Sequence, residues 1–252
     1  MIAIKSKNEL KKIRNACQIT ALVIDKLKKQ IKPGISTKDL EKIAKKEIDK
    51  FGALAAFFGY RGFPGYICTS VNEVVVHGIP DKKCILEAGD ILSIDVGVKA
   101  DGYYGDAAIT TGVGTISQEA QRLIDVTYAA LLKGIEEIRP EIRLSNISAI
   151  IQNFVEKNAF SVVREFVGHG IGVEMHEEPQ IPNFGRPERG PRLKPGMVLA
   201  LEPMVNMGAH EVEILNDGWT AVTRDRKLSA HFEHTIAVTE KGAEILTQID
   251  RS

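Results

Sequence analysis

Asp95 lies inside the apolar run Ile-Leu-Ser-Ile-Asp-Val-Gly-Val, between Ile94 and Val96. A carboxylate buried without a partner is costly, so this position calls for a compensating charge or ligand. Alternation predicts a strand over 91–98, a turn at Lys99-Ala100-Asp101-Gly102 and a returning strand over 103–111. A four-residue turn places Asp95 opposite Asp106. Directly opposed residues share one face, with Cβ atoms about 4.5–5.5 Å apart. A second hairpin centred on Asp217-Gly218, a favoured two-residue turn, sets Glu202 opposite Glu233. Four acids in two cross-strand pairs repel one another unless cations lie between them. The favoured chemistry is therefore a dinuclear metal site. Oxygen-rich ligands with one imidazole suit Mn, Fe or Co better than a tetrahedral structural zinc. Two such ions can activate water and clamp a tetrahedral intermediate.

The imidazole comes from His169, set in Gly168-His169-Gly170-Ile171-Gly172. Glycines on both sides let the backbone pass close to a ligand or metal. His77 precedes a turn in VVVHGIP, and His176 opens HEEP. On spacing alone these two stay open between structural and functional roles. His210, His231 and His234 receive no role, although His231 and His234 flank Glu233. HEEPQ is not HExxH, because the second His is missing and Pro179 breaks the required helix. There is no GxSxG elbow and no GxxxxGK[ST] loop, and Gly112-Val113-Gly114 lacks the third glycine of a dinucleotide signature. Nothing places a His and an orienting group beside Cys68, which reads as a pocket-lining thiol.

The elements that must position these residues follow a repeated order. Ile13, Cys17, Ala21, Ile24 and Leu27 predict a helix within 9–30, ended by Pro33-Gly34. Ser36 or Thr37 caps a second helix with its stripe at Leu40, Ile43, Ala44, Ile48 and Phe51. Residues 52–80 read as loop and short strand. Helices are again predicted over 117–138 and 145–156, and strands from Met197 to about Val238. The halves align at one offset of 107 residues: Ile31 onward matches Ile138 onward, and Leu86 onward matches Leu193 onward. Asp95 thereby superimposes on Glu202. The expectation is one α+β domain over 1–252, with pseudo-symmetric halves of about 1–112 and 113–252.

Composition sets the class. The chain has 252 residues, 44% hydrophobic and 26% charged, with 33 basic and 33 acidic side chains. That balance argues against binding DNA over the whole surface. No apolar run approaches the roughly 18 residues of a membrane span, and no apolar stretch of signal-peptide length opens the chain. Three cysteines without CxxC spacing argue against a disulfide scaffold or zinc knuckle and fit a reducing cytoplasm. Residues 1–50 nevertheless hold 14 Lys/Arg against 6 Asp/Glu. This patch raises the expectation of a salt-sensitive contact with an anionic surface such as the ribosome.

The runs VNEVVVHGIP, SIDVGVKADGYYGDAA, GHGIGVEMHEEPQIPNFG, ALEPM and HFEHTIAVT resemble the type I methionine aminopeptidases, in order and over nearly the whole chain. The likeness is to the minimal bacterial form. It implies the pita-bread fold, two pseudo-symmetric α/β halves around a central site, working as a monomer on the N-termini of nascent chains. It implies two divalent ions, Fe, Mn or Co with Zn also admitted. Asp95, Asp106 and Glu233 would hold one, and Asp106, His169, Glu202 and Glu233 the other. By the same resemblance His77, His176 and Glu202 are catalytic, with His77 and His176 touching substrate. Tyr60, Phe63, Cys68, Met175 and Trp219 would line the methionine pocket. The family prefers a small second residue. Gly97 stands where some relatives carry a hydroxyl residue, and Val173 where a basic residue is frequent. Two alternatives share the fold: a proline-directed aminopeptidase, which usually carries a large extra N-terminal domain, and a binding protein that has lost its ligands.

Overall fold

A computed structural model of the chain describes residues 2–249. Helix α1 (Lys7–Lys28) starts at Ser6, whose side chain accepts from the Glu9 N–H while the Glu9 carboxylate accepts from the Ser6 N–H. Of the two candidate caps for α2 (Thr37–Lys50), Ser36 is the one used, through the Asp39 N–H. Helices α3 (Gln118–Glu136) and α4 (Leu144–Lys157) form a second pair. Both ends of α4 fall 107 residues after those of α2. The flanking backbone repeats at that spacing. Gly34 N–H donates to the Leu86 carbonyl and Leu86 N–H to Ile35, as Glu141 donates to Leu193 and Leu193 to Ile142.

Between the helix pairs lie β1 (Leu54–Ala55), β2 (Cys68–Val71), β3 (Val74–Val76), β4 (Ile91–Ala100) and β5 (Tyr103–Gly112). After α4 come β6 (Ser161–Val162), β7 (Gly168–Gly170), β8 (Glu177–Ile181) and β9 (Val198–Leu201). The chain continues through β10 (Met204–Asn206), β11 (Val212–Ile214), β12 (Ala221–Thr223), β13 (Ser229–His231), β14 (Glu233–Thr239) and β15 (Gly242–Ile245). The main sheet runs β1-β4-β5-β14-β9-β7-β8, with β2 beside β4 and β15 beside β14.

Each helix pair covers one part of this sheet. Leu27, Leu40 and Ile48 pack with Ile94 and Val96. Leu123, Leu131 and Ile147 pack with Leu199 and Ile236. Each such side chain contributes about 1.5–3 kcal/mol when fully buried. The same packing aims the acids. With Ile94 and Val96 against the helices, the two-residue period sends Asp95 to the other face. This is the α+β pita-bread architecture, two helix-and-hairpin halves around a central cleft. No helix among the described residues is long and apolar enough to cross a membrane.

The first hairpin corrects the expected register. Its turn is Asp101-Gly102 alone, with φ of 52° and 82°, and Ala100 pairs with Tyr103. Asp106 therefore faces Gly97, while Asp95 faces Ala108 on one side and Cys68 on the other. A left-handed Asp-Gly pair closes a hairpin in two residues, so Lys99 and Ala100 stay in the ladder. The slip is two positions, which preserves the face, and the two acids become diagonal neighbours. In the second hairpin Leu201 pairs with His234, Met204 with His231 and Val212 with Thr223, all in the register set by Asp217-Gly218. That ladder is not continuous. Its three pieces belong to three different sheets.

Candidate active site

Asp95 from β4, Asp106 from β5, His169 from β7, Glu202 just past β9 and Glu233 at the start of β14 line one cleft. Ligand atoms of Asp106, His169 and Glu233 all lie within 4.8 Å of one another. His169 Nε2 is 3.4 Å from Glu202 Oε1. Asp95 Oδ1, Asp106 Oδ1 and Glu233 Oε1 are buried with no hydrogen-bond partner. Such oxygens lack the compensation that burial demands, and a divalent cation supplies it. His169 Nδ1 lies 2.9 Å from the Gly170 carbonyl, which can only accept. Nδ1 therefore carries the proton, and the Nε2 lone pair is left for a metal. The donor set fits divalent ions.

The electrostatics agree. Burial raises Asp95 to about 7 and holds Asp106, Glu202 and Glu233 well above the usual carboxylate range. Neighbouring acids add to each of the last three: Glu233 and Asp95 act on Asp106, Asp106 and Asp95 on Glu202, and Glu202 and Asp95 on Glu233. Burial, with His176 nearby, lowers His169 to about 3. Bound cations reverse the carboxylate shifts, because they favour the ionised form.

The glycines around His169 act differently from expectation. A Cβ on Gly168 would sit 2.5 Å from the Ala200 carbonyl oxygen, and one on Gly170 would sit 2.3 Å from that of Glu178. They let β7 fit between its neighbouring strands rather than approach a ligand. The segment after β7 is tied down by Glu177. Its carboxylate accepts from the Val173 and Glu174 N–H groups and pairs with the buried Lys5 ammonium. This arrangement carries His176 to the cleft, where its ring centroid lies 4.2 Å from that of His169. The Tyr60 hydroxyl is 2.8 Å from His176 Nδ1.

Tyr60, Phe63, Cys68, His77 and Trp219 line the cleft together with the acids. Trp219 meets Phe63 edge-on at 5.2 Å. Its backbone is set by Asp217, which accepts from the Trp219 and Thr220 N–H groups. His77 adopts φ of 59° and stands edge-on to Phe166 at 5.3 Å. Burial lowers His77 to about 4 and raises the Cys68 thiol, so both are neutral near pH 7. Met175 is buried beside the cleft residue Phe57, the two side chains meeting over Gly97. A Cβ on Gly97 would meet Phe57 Cε1 at 2.7 Å and Met175 Cε at 2.9 Å, so this glycine makes room for both.

Phe57 and Arg61 also line the cleft, and the sequence reading missed them. His231, given no role from sequence, has its buried Nε2 3.8 Å from Glu202 Oε2. The signal for Phe57 was the aromatic pair Phe57-Phe58 in a glycine-rich loop. For His231 it was adjacency to Glu233.

Comparison with known proteins places this geometry. Metallopeptidase family M24 matches residues 11–240. Methionine aminopeptidase 1 of Bacillus subtilis (strain 168) is 57% identical over 249 residues, covering 99% of this chain and all of the relative. The crystal structure of methionine aminopeptidase from Thermotoga maritima superimposes with a TM-score of 0.97 at 47% identity, covering 98% of this chain and 100% of that one. The prolidase of Pyrococcus horikoshii OT3 shares the fold alone, with a TM-score of 0.79 at 23% identity over 99% of this chain and 64% of that one.

Proposed function

Because this chain belongs to metallopeptidase family M24, we propose that its acidic cleft is the catalytic centre of a metal-dependent aminopeptidase that removes the initiator methionine of new proteins. The enzyme cleaves N-terminal methionine from peptide chains. The observation that carries the site assignment is the set of buried carboxylate oxygens without partners, facing His169 beside an aromatic wall.

Asp95, Asp106 and Glu233 would hold one ion, and Asp106, His169, Glu202 and Glu233 would hold the other. Bound divalent ions supply a water activated for attack and neutralise charge that develops on the scissile carbonyl. Fe, Mn and Co suit this donor set, and Zn is also accepted. Tyr60, Phe63, Cys68 and Trp219 receive the methionine side chain. A thioether against aromatic rings contributes about 0.3–1.5 kcal/mol per contact. Glu202 takes a proton from the attacking water and returns it to the leaving amine nitrogen. With the Tyr60 hydroxyl, 2.8 Å from His176 Nδ1, acting as donor, Nε2–H would be left to face the developing oxyanion. His77 orients the scissile amide. Desolvation, with the Arg61 guanidinium nearby, lowers His176, so it acts as a neutral donor.

The site test is cleavage of a Met-Ala-Ser peptide with and without chelator, followed by add-back of Mn, Fe or Co. Activity that disappears with chelator and returns with metal is expected. Metal-independent cleavage would reject the reading. An Ala-Pro peptide should not be cleaved. Proline-directed relatives match this chain only at fold level, as the prolidase identity of 23% illustrates.

On this reading the enzyme works in the cytoplasm as a monomer, on chains leaving the ribosome, and prefers a small second residue. The lysines of α1 and α2 support a weak, salt-sensitive ribosome contact. Several are already engaged: Lys42 by Asp39, Lys45 by Asp49 and Lys29 by Asp25. Such exposed pairs are worth little and exchange readily. Co-sedimentation with ribosomes at low and high salt, comparing wild type with Lys42, Lys45 and Lys46 changed to Glu, tests the contact. Equal binding by both proteins removes it.

A further inference from the structure

Among the buried polar side chains that this mechanism leaves unused, His231 faces the Glu202 carboxylate. It ends β13 at 2% exposure. Its backbone is fixed by one hydroxyl: its N–H donates to Thr110 Oγ1 at 2.8 Å, and its carbonyl accepts from the same group at 2.7 Å. Its Nε2 is buried and has no hydrogen-bond partner. The carboxylate facing it is Glu202, with Oε2 3.8 Å away. Glu202 Oε1 faces His169 Nε2 at 3.4 Å. Two imidazoles thus flank one carboxylate from its two oxygens.

The two rings are not equivalent. His169 gives its Nδ1 proton to the Gly170 carbonyl and turns a lone pair inward. His231 lines a small cavity with the apolar side chains of Val76, Phe166 and Met204 and with His77, His176, Asp95 and Glu202; of the two acids, Glu202 is the one that reaches its ring nitrogen, at 3.8 Å. A buried N–H without an acceptor is unfavourable, and the Glu202 carboxylate is the strongest acceptor within reach.

We propose that His231 is a positioning residue for Glu202, its Nε2–H donating to Oε2 so that the carboxylate keeps one orientation through the proton transfer. This rests on the reading of Glu202 as ligand and base. The 3.8 Å separation is longer than a hydrogen bond. A small rotation of the carboxylate closes it, as catalytic hydrogen bonds commonly tighten when substrate binds. Carboxylate ligands to metals are themselves held by such outer hydrogen bonds.

The test compares His231→Leu with His231→Gln, which keeps an N–H at similar reach. Three quantities are read: kcat and KM on Met-Ala-Ser, Mn affinity by calorimetry, and thermal unfolding. His231→Leu is expected to lower kcat by about 10–100-fold and weaken Mn binding, with KM within about twofold. His231→Gln should recover kcat to within about threefold of wild type. Ring-nitrogen NMR of the wild type should find the proton on Nε2. Full activity and unchanged Mn affinity in His231→Leu would overturn the proposal. So would equal damage in both variants with unchanged melting, which would mean packing alone. A change confined to KM for Met-Ser against Met-Ala peptides would instead make His231 a reader of the second residue. If wild type itself lacks metal-dependent cleavage, the parent reading fails and this role with it. An active wild type with an indifferent Leu variant rejects only the role of His231.

Discussion

The two hairpins that supply the carboxylates solve the same problem in opposite ways. β4 and β5 form an unbroken ladder of ten rungs, and Asp95 and Asp106 sit in its middle. The second hairpin keeps one register over a longer reach but is divided among three sheets. Glu202 lies where its first arm leaves the main sheet, and Glu233 where the second arm rejoins it. Beyond the break, β11 and β12 carry Trp219 to the cleft mouth, against Phe63 and near His77. The continuous hairpin provides rigid ligands. On the proposed reading, the interrupted one would provide ligands plus the proton carrier and a substrate wall. Interrupting a ladder frees a side chain from the strict alternation of a strand, which suits a group that must both bind metal and move a proton.

That division predicts the largest effect at the break. Glu202→Ala removes a ligand and the base together, and kcat should fall by at least about 10³-fold with little change in melting temperature. A variant retaining a tenth of wild-type activity would reject the role. His176→Ala follows, with a loss of about 10²–10³ in kcat while both ions stay bound, as expected for a lost transition-state donor. Metal analysis of that variant decides the point. Loss of metal would make His176 a ligand and extend the metal shell to the segment held by Glu177 and Lys5.

The sequence carried Asp95 because it interrupts an apolar strand, a contrast that survives any register, and a slip of two positions left Asp106 on the same face. It did not carry the register of the first hairpin. Whether Asp-Gly or Lys-Ala-Asp-Gly makes the turn depends on backbone angles that residue types only bias. The second register was legible because Asp217-Gly218 left no such choice. The breaks between its pieces were not, since twist and competition from β3 and β6 decide where a strand leaves a sheet. Gly168 and Gly170 suggest room for a ligand, whereas the crowding comes from neighbouring strand backbones, Ala200 against Gly168 and Glu178 against Gly170. Phe57, Arg61 and His231 carry no local motif. Their roles come from elements that meet only in three dimensions.

Trp219 tests the far end of the interrupted hairpin. Trp219→Ala should raise KM for methionine peptides by about tenfold and lower kcat less, because the wall binds ground and transition states alike. An unchanged KM would detach the β11–β12 arm from substrate binding. It would then leave only the hydrophobic contact with Phe63 as its purpose.

The smallest effect is one of stability, and it asks whether the two hairpins form one electrostatic unit. Below about pH 6.5, buried neutral histidines and buried protonated acids act in opposite directions. His77, lowered to about 4, and His169 and His231, lowered to about 3, favour the folded state as pH rises. Above the ordinary histidine value of about 6.5 that contribution is complete. What remains is the acids. Without metal, the folded protein holds protons on Asp95, Asp106, Glu202 and Glu233 that the unfolded chain has already lost. The folded state then binds more protons than the unfolded one, so stability falls with rising pH. The share of Asp95 is lost as pH rises to about 7, and Asp106, Glu202 and Glu233, held well above the usual carboxylate range, carry the fall to higher pH. Metal-stripped protein should therefore melt about 5 °C lower at pH 8 than at pH 6.5. Added Mn should raise the midpoint most at the higher pH, because cations and protons compete for the same oxygens. Asp95→Asn and Glu233→Gln should each flatten the slope, one from either hairpin. Flattening by Asp95→Asn alone would confine the repulsion to the continuous ladder, and a stripped protein with no slope would mean that the four acids do not share one buried field.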